Sequence, residues 1–288
     1  MDDEAFVGHP EAFRKHLGER LEPSPADFPK QMRFVADRRE AGESCAASAV
    51  LLPIEFDVSG RQYTVILNKR SAYVQQAGDL CFPGGGVDRR VDRVLSRLLA
   101  WKILPMERSE PFRRLLRSSP GSREVFLSVI AGVLRESWEE MRLPPWRVAY
   151  MGALPSLWMQ SFPRVIFPVV GHVRAGWRAR PNWEVESVLR VPLRVFLDPE
   201  NYAVCRFLLA VPSEEAGQRT HEWEYPCLVI HDGAEEEILW GATFRILMNF
   251  LERVFGLSVE RINPTRRVTR RLPGNYFTGG ARHERRNP

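Results

Sequence analysis

The stretch on which the reading turns is LSVIAGVLRESWEEMRL, Leu127 to Leu143. Its carboxylates, Glu136, Glu139 and Glu140, fall at i, i+3 and i+4, within about a 100° arc of one helix face at roughly 100° per residue. Leu127, Ile130, Leu134, Trp138 and Met141 gather on the opposite side of the same wheel. The pattern predicts a two-faced helix, one face for a core and the other a concentrated negative patch. Like charges this close repel by roughly a few tenths of a kcal/mol for each exposed pair, so a cation is their natural partner.

Working outward, Ser48–Ile54 (SAVLLPI) and Tyr63–Asn68 (YTVILN) read as strands around a turn at Gly60, and a glycine-rich segment, GDLCFPGGG, follows from Gly78 to Gly86. Residues 88–121 mix an apolar-periodic piece (Val91, Val94, Leu95, Leu98, Leu99) with a basic linker and read as an inserted helical excursion. Pro144 and Pro145 stop the carboxylate helix. Further strands are predicted at 147–151, 165–173, 205–211 and 227–231, and a last helix at 242–255 with Ile246, Leu247, Phe250, Leu251 and Val254 inward. Strands interleaved with helices predict an α/β fold on a mixed sheet. Residues 1–43 read as an N-terminal extension, with a short helix over 11–21 ended by LEPSPADFP. Residues 44–257 form the main domain, and the arginine-rich 258–288 is an extended tail.

Bulk properties set wide bounds. The chain has 288 residues, 44% hydrophobic and 27% charged, with a formal net charge of +5, which suits an anionic partner without choosing one. Cys45, Cys81, Cys205 and Cys227 show no CxxC, and the histidines are scattered, which argues against zinc. With no apolar run near membrane length and an acidic start, MDDEAF, the expectation is a reducing cytoplasm and no membrane partner.

Carboxylate oxygens are hard ligands suited to Mg²⁺ or Mn²⁺, and magnesium prefers them together with substrate phosphates. The glycines of FPGGG let backbone approach a ligand closely. Together they point to metal-assisted cleavage of a phosphoanhydride. No lysine followed by Ser or Thr comes after the glycines, so this is not a P-loop.

On these residues the chain resembles the Nudix hydrolases, whose box runs Gly-x5-Glu-x7-Arg-Glu-U-x-Glu-Glu-x-Gly-U, with U aliphatic. Arg135, Glu136, Glu139, Glu140 and Leu143 match its second half. The likeness sharpens to the coenzyme A and acyl-CoA diphosphatases, whose signature is LLTxRS, a glycine, three residues and FPGG. Here ILNKRS stands at 66–71, then Gly78, three residues and FPGG at 82–85. AASAVLLPI at 46–54, NWEVESVLRVPL at 182–193 and ILWGAT at 238–243 also resemble that branch. The resemblance implies an α/β/α sandwich and hydrolysis of CoA or acyl-CoA to 3′,5′-ADP and (acyl-)4′-phosphopantetheine. It implies Glu136, Glu139 and Glu140 as metal ligands, with Glu139 and Glu140 catalytic. Glu184, in a later loop, becomes a candidate base or further ligand. Arg70, Ser71, Gly78, Phe82, Gly84 and Gly85 are placed at the substrate, and Arg135 is read as orienting a glutamate.

The chain departs from the family in four places. Roughly 35 extra residues split the box, leaving Asp88 or Asp92 to stand for its first glutamate. Arg142 replaces the box glycine, Ser137 stands at the aliphatic position, and the arginine expected between Ser71 and Gly78 is missing. The bland reading of RESWEE is a solvated helix face with Arg135 and Glu139 as an i,i+4 pair. Two alternatives stay open: a diphosphatase for ADP-ribose or NADH, and a non-catalytic nucleotide- or RNA-binding protein using insert and tail, with nucleic acid the less favoured partner. The insert is placed either to line the cleft or to pack a homodimer.

Overall fold

The strand Ala46–Asp57 is apolar almost throughout because helices cover both of its faces. In this computed structural model, which describes residues 9–25, 27–87, 91–100, 109–159, 163–213, 217–233, 235–258, 262 and 264–278, that strand lies at the centre of an eight-stranded sheet. It runs parallel to Arg164–Val173 over ten residues and antiparallel to Gln62–Arg70, so the sheet is mixed. Gln62–Arg70 also pairs with Val185–Pro192 and with Leu80–Cys81, while Gly84–Gly86 pairs with the central strand.

Side chains alternate between the faces with a period of two. Ala47, Ala49 and Leu51 join one core, and Leu52 and Ile54 the other. On the neighbouring strand Tyr63, Val65 and Leu67 go one way and Ile66 the other. By the same alternation Asn68 falls on the Ile66 side. That face is covered by the carboxylate helix, Pro120–Met141, together with Asp27–Glu40. The opposite face is covered by Pro10–Arg20 and Gly241–Phe255. The result is the expected α/β/α sandwich.

Residues 1–43 were expected to stand apart, but their described part is built into both helical layers. Phe13 and Leu17 are fully buried against Tyr63 and the last helix, with the Phe13 and Tyr63 ring centroids 4.5 Å apart. Phe28, on a helix that the proline-rich run concealed, stacks on Phe126 at 4.9 Å and meets Phe167 edge-on. The tail also differs from expectation. Arg267–Leu272 is a strand paired in parallel with Tyr202–Ser213, part of a second, four-stranded sheet. Residues 279–288 lie outside the described residues.

Within the insert, helices run over Val91–Ala100 and Glu110–Leu116. The carboxylate helix starts earlier than expected, with Pro120 in its first turn, where a missing N–H costs nothing. Trp138, expected in the core, is 39% exposed near the helix end, and the buried position beside it belongs to Ser137, whose Oγ donates to Val133 O at 2.6 Å. Arg142 takes the left-handed conformation (φ 59°) usual for glycine at this point, with its guanidinium 5.4 Å from the centre of the Trp138 ring. The helix therefore leaves as it would with glycine.

Because the N-terminal helices complete the core, Phe28→Ala should lose about 3–5 kcal/mol in urea denaturation. A dispensable extension would leave the midpoint unchanged.

Candidate metal and diphosphate site

Arg135 organises the carboxylates. Its Nε donates to Asp92 Oδ1 at 2.8 Å, and its Nη1 to Glu136 at 3.0 Å and Glu139 at 3.1 Å. Nη2 donates to the carbonyl of Gly86 at 3.0 Å, tying the helix to the glycine strand. One planar guanidinium thus joins three carboxylates and a loop, a use for which a fork of five donors is suited.

Of the two acids that could complete the divided box, Asp92 is the one brought to Arg135 among the described residues. It is fully buried, and a Cβ added to Gly132 would lie 3.4 Å from its carboxylate. The signal in the sequence was spacing: Asp92 stands six residues after Gly86, as the box's glutamate stands after its glycine. Asp88, the other candidate, lies outside the described residues.

Glu140 is held differently. It is 8% exposed and accepts a bond from Asn68 Nδ2 at 2.8 Å. In the sequence Asn68 falls within ILNKRS, at the threonine of the family signature. Strand alternation was the signal that aims it under the helix. Burial, and then the charge of Glu136, push the Glu140 carboxyl up to about 8, with Glu184 adding to the repulsion. Burial likewise raises Glu136, with Arg135 opposing and Glu139 and Glu184 adding to the rise.

The glycines are there for close approach. A Cβ on Gly85 would fall inside the Glu136 carboxyl, and one on Gly84 (φ 156°) inside the backbone of Ala49 and Val50. Gly84 also supplies a backbone hydrogen bond to Glu140.

The other predicted residues divide. Ser71 acts as a strap: its N–H donates to Glu184 O at 2.9 Å and its Oγ to Trp183 O at 2.8 Å. Arg70 Nε donates to Gln75 O at 2.8 Å, while the guanidinium charge favours the ionised form of Glu140. Gly78 turns the loop at φ 74°. Phe82, expected at the substrate, is instead 4% exposed and packs in the core with Leu80 and Leu67. No cation stands between Ser71 and Gly78. Arg270, from the C-terminal strand, comes to that loop instead, its Nη2 3.3 Å from where a Cβ on Gly78 would lie.

Whether these residues suit a divalent ion depends on the donors. Among the described residues no three His, Cys, Asp or Glu side chains form a ready-made metal cage, and Glu139 is held by Arg135. Glu136 and Glu140 nevertheless offer hard oxygens whose mutual repulsion an added positive charge would relieve. Magnesium is commonly held by one or two carboxylates with substrate phosphates and water. The donor set therefore fits an ion that arrives with a diphosphate.

Over 223 residues the chain is 28% identical to the uncharacterized Nudix hydrolase NudL of Pectobacterium atrosepticum, covering 76% of this chain and 85% of that protein. It is 26% identical to NudL of Photorhabdus laumondii, covering 78% and 93%. These likenesses support the Nudix hydrolase superfamily. No family model matches the chain. Among solved structures, a MutT/nudix family protein from Enterococcus faecalis overlaps with TM-score 0.40 and 12% identity, covering 80% of this chain and 73% of that one. The NUDIX domain of Shewanella oneidensis NrtR, solved with ADP ribose, overlaps with TM-score 0.33 and 14% identity, covering 56% and 85%. Among the described residues no helix is long and apolar enough to cross a membrane.

The raised Glu140 carboxyl gives the metal-free protein a signed pH dependence. Between the ordinary carboxylate range and about pH 8 the folded state holds a proton on Glu140 that the unfolded state has released. Stability from this group is therefore full below about pH 4.5 and falls as pH rises through about 8. In EDTA, Glu140→Gln should raise the urea midpoint at pH 8 and leave it nearly unchanged at pH 4. Equal midpoints at pH 8 would show that Glu140 carries no buried charge.

Proposed function

We propose that the chain is a Nudix hydrolase that cleaves the diphosphate of coenzyme A or acyl-CoA, giving 3′,5′-ADP and 4′-phosphopantetheine or its acyl form. The observation that carries the hydrolase reading is the convergence of Glu136 and Glu140 with the Gly84–Gly85 backbone, held by Arg135 and Asn68. A buried and a half-buried carboxylate that destabilise one another mark a site rather than a surface. The substrate choice rests on the ILNKRS–Gly78–FPGG pattern.

Glu136 and Glu140 would hold Mg²⁺ or Mn²⁺, with Glu139 at the rim as the third predicted ligand. When bound, such an ion neutralises phosphate oxygens and lowers the pKa of water. The protein's own part is positional. Asn68 fixes the rotamer of Glu140, Arg135 fixes Glu136, and the glycines let the diphosphate lie against backbone. The charge of Glu184 reaches the same carboxylates, and Glu184 is assigned the general base. Its carboxylate takes the proton of the attacking water. The water oxygen bonds to one phosphorus, and the bridging P–O bond breaks toward the other phosphate.

Purified protein with Mg²⁺ or Mn²⁺ should hydrolyse CoA in preference to ADP-ribose and NADH. Glu140→Gln should lower turnover by about 10²-fold or more with the fold intact. Faster hydrolysis of ADP-ribose would move the substrate assignment, and full activity in Glu140→Gln would remove the site assignment.

A further inference from the structure

The arginine-rich C-terminal segment is not idle. Along Arg267–Leu272 the residues Val268, Arg270 and Leu272 share the inward face, and the side chains between them are exposed. Leu272 and Tyr276 pack with Cys205, Phe207 and Cys227 in a core that belongs to the second sheet. Arg270 is thus a cation on the apolar side of a strand, where an unpartnered charge is costly.

Its partner lies in the loop that leads into the strand Leu80–Cys81 of the main sheet. Arg270 Nη1 is 2.9 Å from Asp79 Oδ1, close enough for an ion pair, although the N–H is not aimed along the contact. Asp79 is 8% exposed, and burial raises its carboxyl even against the opposing charge of Arg270. The hydroxyl of Tyr276, itself fully buried, donates to Asp79 Oδ2. Tyr276 O in turn accepts from the Gln76 N–H at 2.7 Å. The segment therefore grips the loop 71–79 at both Gln76 and Asp79.

That loop needs an outside hold. Gln76 has φ 57° and Gly78 φ 74°, and a non-glycine left-handed residue costs of order 1 kcal/mol unless its surroundings fix it. The loop's other end is strapped by Ser71 to Trp183 and Glu184, and Arg70 reaches across to Gln75. A shift at Gln76–Asp79 would move Arg70, whose N–H donates to Asp79 O and whose carbonyl accepts from the Gly78 N–H.

We propose that the C-terminal segment is a working part of the diphosphate site, with Tyr276, Arg270 and Asp79 acting as positioning residues that hold the loop 71–79 in its substrate-receiving shape. The substrate half of the proposal rests on the diphosphatase reading above, whereas the positioning half stands on the contacts alone.

Tyr276→Phe keeps the ring in its core and deletes only the bond to Asp79, and Asp79→Asn removes the charge on the other side. In the full-length chain without substrate, amide hydrogen exchange at Gln76 and Gly78 should quicken by about tenfold or more in both variants. Exchange in the central strand should not change. With saturating metal, KM for CoA should rise by about tenfold while kcat stays within about threefold. Unchanged loop exchange in both variants would overturn the positioning claim. Faster exchange with unchanged KM would overturn its link to substrate. A wild-type chain that hydrolyses no nucleoside diphosphate would remove the substrate half through the earlier reading, leaving the exchange result to stand or fall separately.

Discussion

The guanidinium of Arg135 is the contact on which the site depends. Glu136 and Glu139 project from one helix beside Asp92 from another, and without a cation between them this geometry would be repulsive. A single planar fork eases that repulsion and, through Gly86 O, locks the helix to the glycine strand. Glu140 is left outside the arrangement. It meets an uncharged amide from Asn68, which fixes its direction without neutralising it. Glu136 is paired by the protein, while the ionised form of Glu140 is disfavoured until a positive charge arrives.

The same contact explains how an interrupted motif can stay whole. Chain inserted into a surface connection costs closure entropy that grows only slowly with length, so the long excursion after Gly86 need not disturb the core. The helix Val91–Ala100 packs on the carboxylate helix and delivers Asp92 to Arg135 at Gly132, where the lack of a side chain makes room. Arg142 is a parallel case: its backbone takes glycine's conformation at the helix exit, and its side chain lies over Trp138.

Much of this was legible because strong periodicity dominates local structure. The carboxylate helix, the central strands and the last helix all announced themselves by spacing. The helix Asp27–Glu40 was hidden because prolines crowd its start and its buried apolar residues, Phe28, Met32 and Val35, are few among charges. The C-terminal strand was hidden because arginine falls on both of its faces, Arg270 inward and Arg267 and Arg271 outward, so that it resembles a solvated tail. Trp138 was misplaced because a helical wheel assumes the covering layer extends to the helix end. Asp92 stood in the sequence as one of two candidates, whereas Asn68 became visible as a site residue only through its long-range contact with Glu140, which spacing within one segment does not carry.

The central claim is that the carboxylate helix, as Arg135 and Asn68 arrange it, binds a divalent ion through Glu136 and Glu140. Mn²⁺ binding followed by electron paramagnetic resonance, in wild type and in Glu140→Gln, tests it without reference to any substrate. The account predicts bound Mn²⁺ in the wild type and affinity lowered by about tenfold or more in the variant. Equal binding in both, or binding in neither, would contradict it.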